Sequence, residues 1–238
     1  EHRLFASLAL PADLLPRPFL IAWQEGDRLP NEEELILLLQ GAANPDLRPL
    51  VYNLFSNPKK APGLMRTTLQ LRSQLKQDQI EDVLTTALGN LSETGGQEDL
   101  LVEMVAAFKL RLLKDPVIQV FKNPESSQIL RANALEALRQ IGEGAHPIVL
   151  DCLENRAYSK GLKLSALIAV GASGERKHSR IVLKEIEKLA DLAKEDVIDS
   201  LSSSVAGAKL LLEGVTLNSI SSDLISTAAL EKMAELLP

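Results

Sequence analysis

The sequence predicts an all-α fold, an α-α superhelix of antiparallel helix pairs, and three observations carry that expectation. Apolar residues recur at helical spacing along most of the chain. Helix-start signals precede those runs. In the C-terminal half, three runs each end in a glycine-containing corner: Leu130 to Ile141 before Gly142 and Gly144, Leu162 to Val170 before Gly171 and Gly174, and Val197 to Val205 before Gly207. Corners at Gly144, Gly174 and Gly207 lie 30 and 33 residues apart (174−144 and 207−174), the period of stacked two-helix units. Hydrophobic residues make up 45% of the chain but aromatics only 3%. The core therefore rests on Leu, Ala, Ile and Val, which suits close helix packing better than a sheet.

Residues 1–30 read as an N-terminal cap. Helices are expected at about 2–9 and 18–25, interrupted by Pro11, Pro16 and Pro18. Asp13 and Arg17 within this apolar stretch argue for a broken helical segment rather than a signal peptide. Trp23, beside Phe19 and Ile21, closes the end of the stack. The chain begins Glu-His-Arg without an initiator Met, which suits a domain excised from a longer protein.

Residues 31–214 read as helical repeats. Asn31 followed by Glu32, Glu33 and Glu34 forms a capping-box pattern, with three acids at the positive helix end. Asp78 with Glu81 repeats that spacing, and Asp115 and Asn123 are further candidate caps. Proline follows at Asn44-Pro45, Asn57-Pro58, Asp115-Pro116 and Asn123-Pro124, in the first turn where a helix tolerates it. The expected helices run at about 31–42, 46–56, 62–76, 79–91, 97–113, 116–122, 126–141, 145–155, 159–171, 178–193, 195–204 and 206–214. Leu130, Ala134, Leu138, Ile141, Leu150 and Leu153 are expected to be buried between neighbouring repeats. The Ser-rich stretch 215–225 is a tether before a terminal helix at about 226–237. The nearest break between domains is Ser92-Glu93-Thr94-Gly95-Gly96, and 1–238 is read as one domain.

The segment Leu130-Arg131-Ala132-Asn133-Ala134-Leu135-Glu136-Ala137-Leu138 resembles the helix of a HEAT repeat, in which an apolar-Arg pair precedes small and large apolar residues. Leu47-Arg48, after Asn44-Pro45-Asp46 and before Val51, Tyr52 and Phe55, looks like a second copy. The tail, Gly207-Ala208-Lys209-Leu210-Leu211-Leu212-Glu213-Gly214 and then Ile220-Ser221-Ser222-Asp223-Leu224-Ile225, is similar to the end of the HEAT region in large bacterial dehydrogenase-like proteins. In that family a β-propeller precedes the repeats and a CxxCH haem domain follows them. The resemblance implies a linking segment without a redox centre, in a periplasmic or cell-envelope setting.

Little in the sequence selects a reaction. HExxH, CxxC, GxSxG and GxxxxGK patterns are absent, so the usual signals for zinc, acyl transfer and phosphate binding are missing. His2, His146 and His178 are scattered, and His146 and Cys152, six apart on one helix, point to different sides. Cys152, among Val149, Leu150 and Leu153, reads as a small buried hydrophobe, and His146-Pro147 as a turn. No catalytic residue, metal ligand or cofactor is expected. The net charge of −6 disfavours nucleic acid, and no run of 18 apolar residues is available for a membrane span.

The candidate contact residues are Arg176, Lys177, His178 and Arg180. Positive charge at a helix start opposes the macrodipole, so helix stability does not account for them. A loop apex of this kind can hold an acidic partner. The expected function is a non-catalytic scaffold for a protein partner or for neighbouring domains of the same chain. Two alternatives remain at this point: a HEAT-like enzyme with a buried carboxylate, and a helical-repeat nucleic-acid binder with a basic concave face.

Overall fold

The computed structural model describes residues 29–237 apart from 43, 44, 46, 47, 95 and 187, and of 50, 79, 93, 94, 191 and 192 the backbone only. The expected helices at 2–9 and 18–25, with His2, Phe19, Ile21 and Trp23, lie outside the described residues, as do Asn44, Asp46 and Leu47 of the second HEAT-like copy. The described residues form thirteen α-helices, three single 3₁₀ turns and no strand, so the fold is all-α. Contacts divide the chain into two compact units, between Pro116 and Val117. The division falls within a helix and not at 92–96, the nearest candidate break in a sequence read as one domain.

The N-terminal unit contains α1 (Glu32–Gly41), α2 (Arg48–Phe55), α3 (Ala61–Gln70), α4 (Gln77–Thr94) and α5 (Glu98–Phe108). The capping box at its start is present. Asn31 Oδ1 accepts from Glu34 N–H at 2.9 Å, and Glu34 Oε2 accepts from Asn31 N–H at 2.8 Å. Helix α2 packs on α4 and α3 on α5, while α1 touches α2, α3 and α4. Their shared core includes Leu35, Leu38, Phe55, Leu64, Met65, Leu84, Met104 and Val105.

Two expected helices are shorter than their apolar spacing suggests. The run 62–76 stops at Gln70 and continues as a 3₁₀ turn, Arg72–Gln74. The run 97–113 stops at Phe108, where Lys109 takes a left-handed conformation (φ 52°), and resumes as the turn Arg111–Leu113. The bend buries Leu110 and Leu113, and Gln77 Nε2 donates to the freed Phe108 carbonyl at 2.6 Å. Tertiary burial here overrides a continuous helical pattern. Two expected caps also move inside their helices, because α4 starts before Asp78 and the next helix before Asp115.

Helix α6 (Lys114–Lys122) crosses the division, and the C-terminal unit continues with α7 (Gln128–Gln140), α8 (Pro147–Glu154), α9 (Lys160–Gly171), α10 (Arg176–Ile186), α11 (Asp191–Leu201), α12 (Val205–Thr216) and α13 (Thr227–Leu236). Helix α9 packs on α7 and on α11, α11 on α13, and α10 on α12. Helices α8 and α10 each flank α9. From α9 to α13 each helix thus packs on its sequence neighbour and on the next but one.

The register of this stacking is 32 residues. Ser127 and Ser159 cap α7 and α9, accepting from Leu130 N–H at 3.1 Å and Leu162 N–H at 3.4 Å. Four residues beyond each cap a cation ties back to a preceding helix end: Arg131 Nε donates to Phe121 O at 2.8 Å, and Lys163 Nζ to Leu153 O at 3.0 Å. Gly142 and Gly174 follow α7 and α9 in left-handed conformations, φ +83° and +75°. Each pair is 32 apart (159−127, 163−131, 174−142). The buried positions keep step, Ala134 with Ala166 and Ala137 with Ala169, and Ile198 and Leu201 extend them into α11. Small side chains in register allow close helix approach.

Gly207 is not a third corner. It lies inside α12, and the preceding turn is built from Ser202, Ser203 and Ser204. Of the six residues expected to be buried, Ala134, Leu138 and Ile141 are; Leu130, Leu150 and Leu153 are half-buried, and α8 buries Val149 and Cys152 instead. Asn123 closes a turn by accepting from Glu125 N–H at 3.0 Å and leaves the capping of α7 to Ser127.

Candidate functional site

The basic cluster belongs to the first turns of α10, which begins at Arg176, two residues earlier than expected, so it is helical and not a loop apex. Gly174, with φ +75°, lets the chain leave α9 and re-enter a helix within a few residues. The carbonyl of Glu175 then accepts from the N–H groups of His178 and Ser179, both at 3.0 Å, and fixes the turn.

Electrostatics explain how a helix tolerates cations at its positive end. Glu175 Oε2 lies 3.0 Å from Lys177 Nζ, and that hydrogen bond holds the Glu175 carboxyl below its usual range. Arg176 reaches α12, its Nη2 3.2 Å from Glu213 Oε1. These pairs are exposed and contribute little to stability. Among the described residues Arg180 is exposed and makes no ion pair, so its charge is open to a partner.

His178 differs from the other three. Its side chain is only 7% exposed, with Nδ1 3.3 Å from Ser173 Oγ and 3.8 Å from Glu175 Oε2. It joins Ser179, Val182 and Ile186 on the buried face of α10. The expectation that His178 offers a surface contact is therefore corrected: at about 100° per residue, position 178 lies over a quarter of a turn from 177 and nearly half a turn from 180, here on the buried face of α10.

Other reactive groups are held in structural roles. His146 caps α8, its Nδ1 accepting from Ile148 N–H at 3.3 Å, and does not face Cys152. Cys152 is fully buried, and burial pushes its thiol up to about 11 against the opposing charges of Lys163 and Arg131. A thiol-directed reagent at pH 8 is expected to leave Cys152 unmodified in the folded protein and to label it in denaturant; rapid labelling without denaturant would show that the site opens readily. Arg131 lies over the stacked rings of Phe121 and Tyr158, 5.6 and 5.2 Å from their centroids. Sequence reading identified Arg131 only as part of a motif. Its partner Tyr158, in the next turn region, gives no local signal.

Glu34 is the buried carboxylate among the described residues, and it serves the capping box of α1. No three His, Cys, Asp or Glu side chains among the described residues come together as a metal site. No helix among them is long and apolar enough to cross a membrane. Comparison with family models, with curated proteins and with solved structures gives no match to this chain.

Proposed function

We propose that this chain is a non-catalytic helical-repeat scaffold that presents the start of α10 to a protein partner or to neighbouring domains of a longer polypeptide. The observation that carries the reading is the 32-residue register of caps, cations and small buried residues in α7 and α9, which the buried Ile198 and Leu201 continue into α11. Stacked units of this kind build extended surfaces from short-range contacts. The HEAT-like residues around Arg131 favour the same architecture, and the resemblance of the tail favours a spacer between a propeller and a haem domain. The polar and reactive groups described above are engaged in capping or packing, which leaves surface charge as the feature available for recognition.

Photo-crosslinking tests this. A crosslinker at Lys177 is expected to capture a partner that one at Glu231, exposed on α13, does not. With that partner purified, the triple variant R176E/K177E/R180E should slow association by about tenfold at low ionic strength and flatten its salt dependence, since exposed charges act mainly on encounter. Equal capture from both positions, or an unchanged association rate, would overturn the assignment. So would a stoichiometric metal or a haem band that stays with the protein through gel filtration.

A further inference from the structure

Helix α10 carries more on its outer side than the basic first turn. Lys177, Arg180, Ile181 and Lys184 stand at i, i+3, i+4 and i+7, on one helix face, and all four are exposed, Ile181 to 40%. The opposite face, with Ser179, Val182 and Ile186, is buried. Helix α12 packs against α10 and shows a second exposed row, Val205, Lys209 and Leu212 at i, i+4 and i+7. The ion pair between Arg176 and Glu213, each one residue away from its helix's row, joins the exposed sides of α10 and α12.

Among the described residues the charges on this surface are not fully paired. Arg176, Lys177 and Lys188 meet Glu213, Glu175 and Glu185. Arg180, Lys184 and Lys209 are exposed and form no ion pair among the described residues. Three cations without an ion-pair partner among the described residues thus surround Ile181, Val205 and Leu212, in a chain of net charge −6, and Arg180, in the first half of α10, gains nothing from the helix dipole.

We infer that the α10–α12 surface docks an acidic amphipathic helix of a protein partner. Its carboxylates meet Arg180, Lys184 and Lys209, and its apolar residues cover Ile181, Val205 and Leu212. This rests on the scaffold reading and names the partner's chemistry. An anionic membrane suits the surface less well. Glu175, Glu185 and Glu213 are interleaved with the cations and would face lipid phosphates, and none of the three apolar side chains is more than half exposed, which leaves nothing to enter the acyl layer.

The test uses the whole chain and a fluorescein-labelled synthetic helical peptide of Glu and Leu, with Leu at every third or fourth position. Fluorescence anisotropy should show saturable binding that weakens as salt rises. R180E/K184E/K209E should weaken it about tenfold or more, and I181S/L212S severalfold, with far-ultraviolet circular dichroism unchanged in both. Binding that survives the charge reversal, or no binding by the parent chain, overturns the inference. Indifference to I181S/L212S reduces the site to general charge attraction and overturns it as well. Sedimentation with phosphatidylserine vesicles, lost in the charge variant while the peptide fails to bind, would assign the surface to membranes instead. A partner crosslinked through Lys177 together with a silent peptide sinks this inference alone. Peptide binding without any crosslinked partner sinks the scaffold reading.

Discussion

Leu138→Asp is expected to abolish the cooperative folding of the C-terminal unit. Leu138 is fully buried in α7, the helix that packs most extensively on α9. Removing a leucine side chain from such a site costs roughly 2–5 kcal/mol through lost burial and the cavity left behind. A carboxylate adds several kcal/mol more, because it is desolvated without a hydrogen-bond partner or must take up a proton to stay neutral. The sum is comparable with the whole stability of a small domain, about 5–15 kcal/mol. Because stacked helices depend on their neighbours, the loss should spread from α7 through α9 to α11. Hydrogen exchange should show protection lost across residues 128–201, while Leu138→Met, which conserves volume, melts close to the parent chain. A parental melting curve for Leu138→Asp would show that this face is misplaced.

Gly144→Ala is expected to destabilise the C-terminal unit, and by more than Gly142→Ala. A Cβ at residue 144 would sit 2.2 Å from the carbonyl oxygen of Ala169 and 3.0 Å from its carbonyl carbon. Those atoms belong to the backbone of α9 and cannot turn aside, so the corner between α7 and α8 must move off the helix it packs against. Overpacking of this kind costs about 1–3 kcal/mol, occasionally more. Gly142 has open space around its Cβ position but a φ of +83°, so alanine there meets only the left-handed penalty of about 1–2 kcal/mol. Thermal melts of the two variants separate close approach from backbone conformation. The reverse order would mean that the corner is free to shift.

Helix placement was largely legible because its signals are local. The capping box at Asn31 and Glu34 and the terminal helix after Ser226 follow from residues within one turn of each other. Interruptions were not legible in this way. Residues 97–113 keep a helical apolar pattern throughout, yet Lys109 turns left-handed and Leu110 and Leu113 are buried where the following turn packs on α4. The repeat was visible but misphased. Counting from glycines joined Gly144, a close-approach residue, to Gly174, a turn residue, and to Gly207, a helix-interior residue. The shared 32-residue register appears only once Gly142 and Gly174 are known to have the same conformation.

The candidate surface divides along the same line. The sequence by itself determined that Arg176, Lys177 and Arg180 form an exposed basic cluster at a helix start, since charge and helix polarity are properties of neighbouring residues. Only the tertiary structure decided which member turns inward and which finds an ion-pair partner among the described residues. His178 is buried because the α10 face that carries it packs against the stack, and Arg176 is paired because the carboxylate it meets stands 37 residues away on α12. Periodicity fixes the face of a helix on which a residue lies. What that face meets depends on contacts between helices far apart in the chain, and no local pattern encodes them.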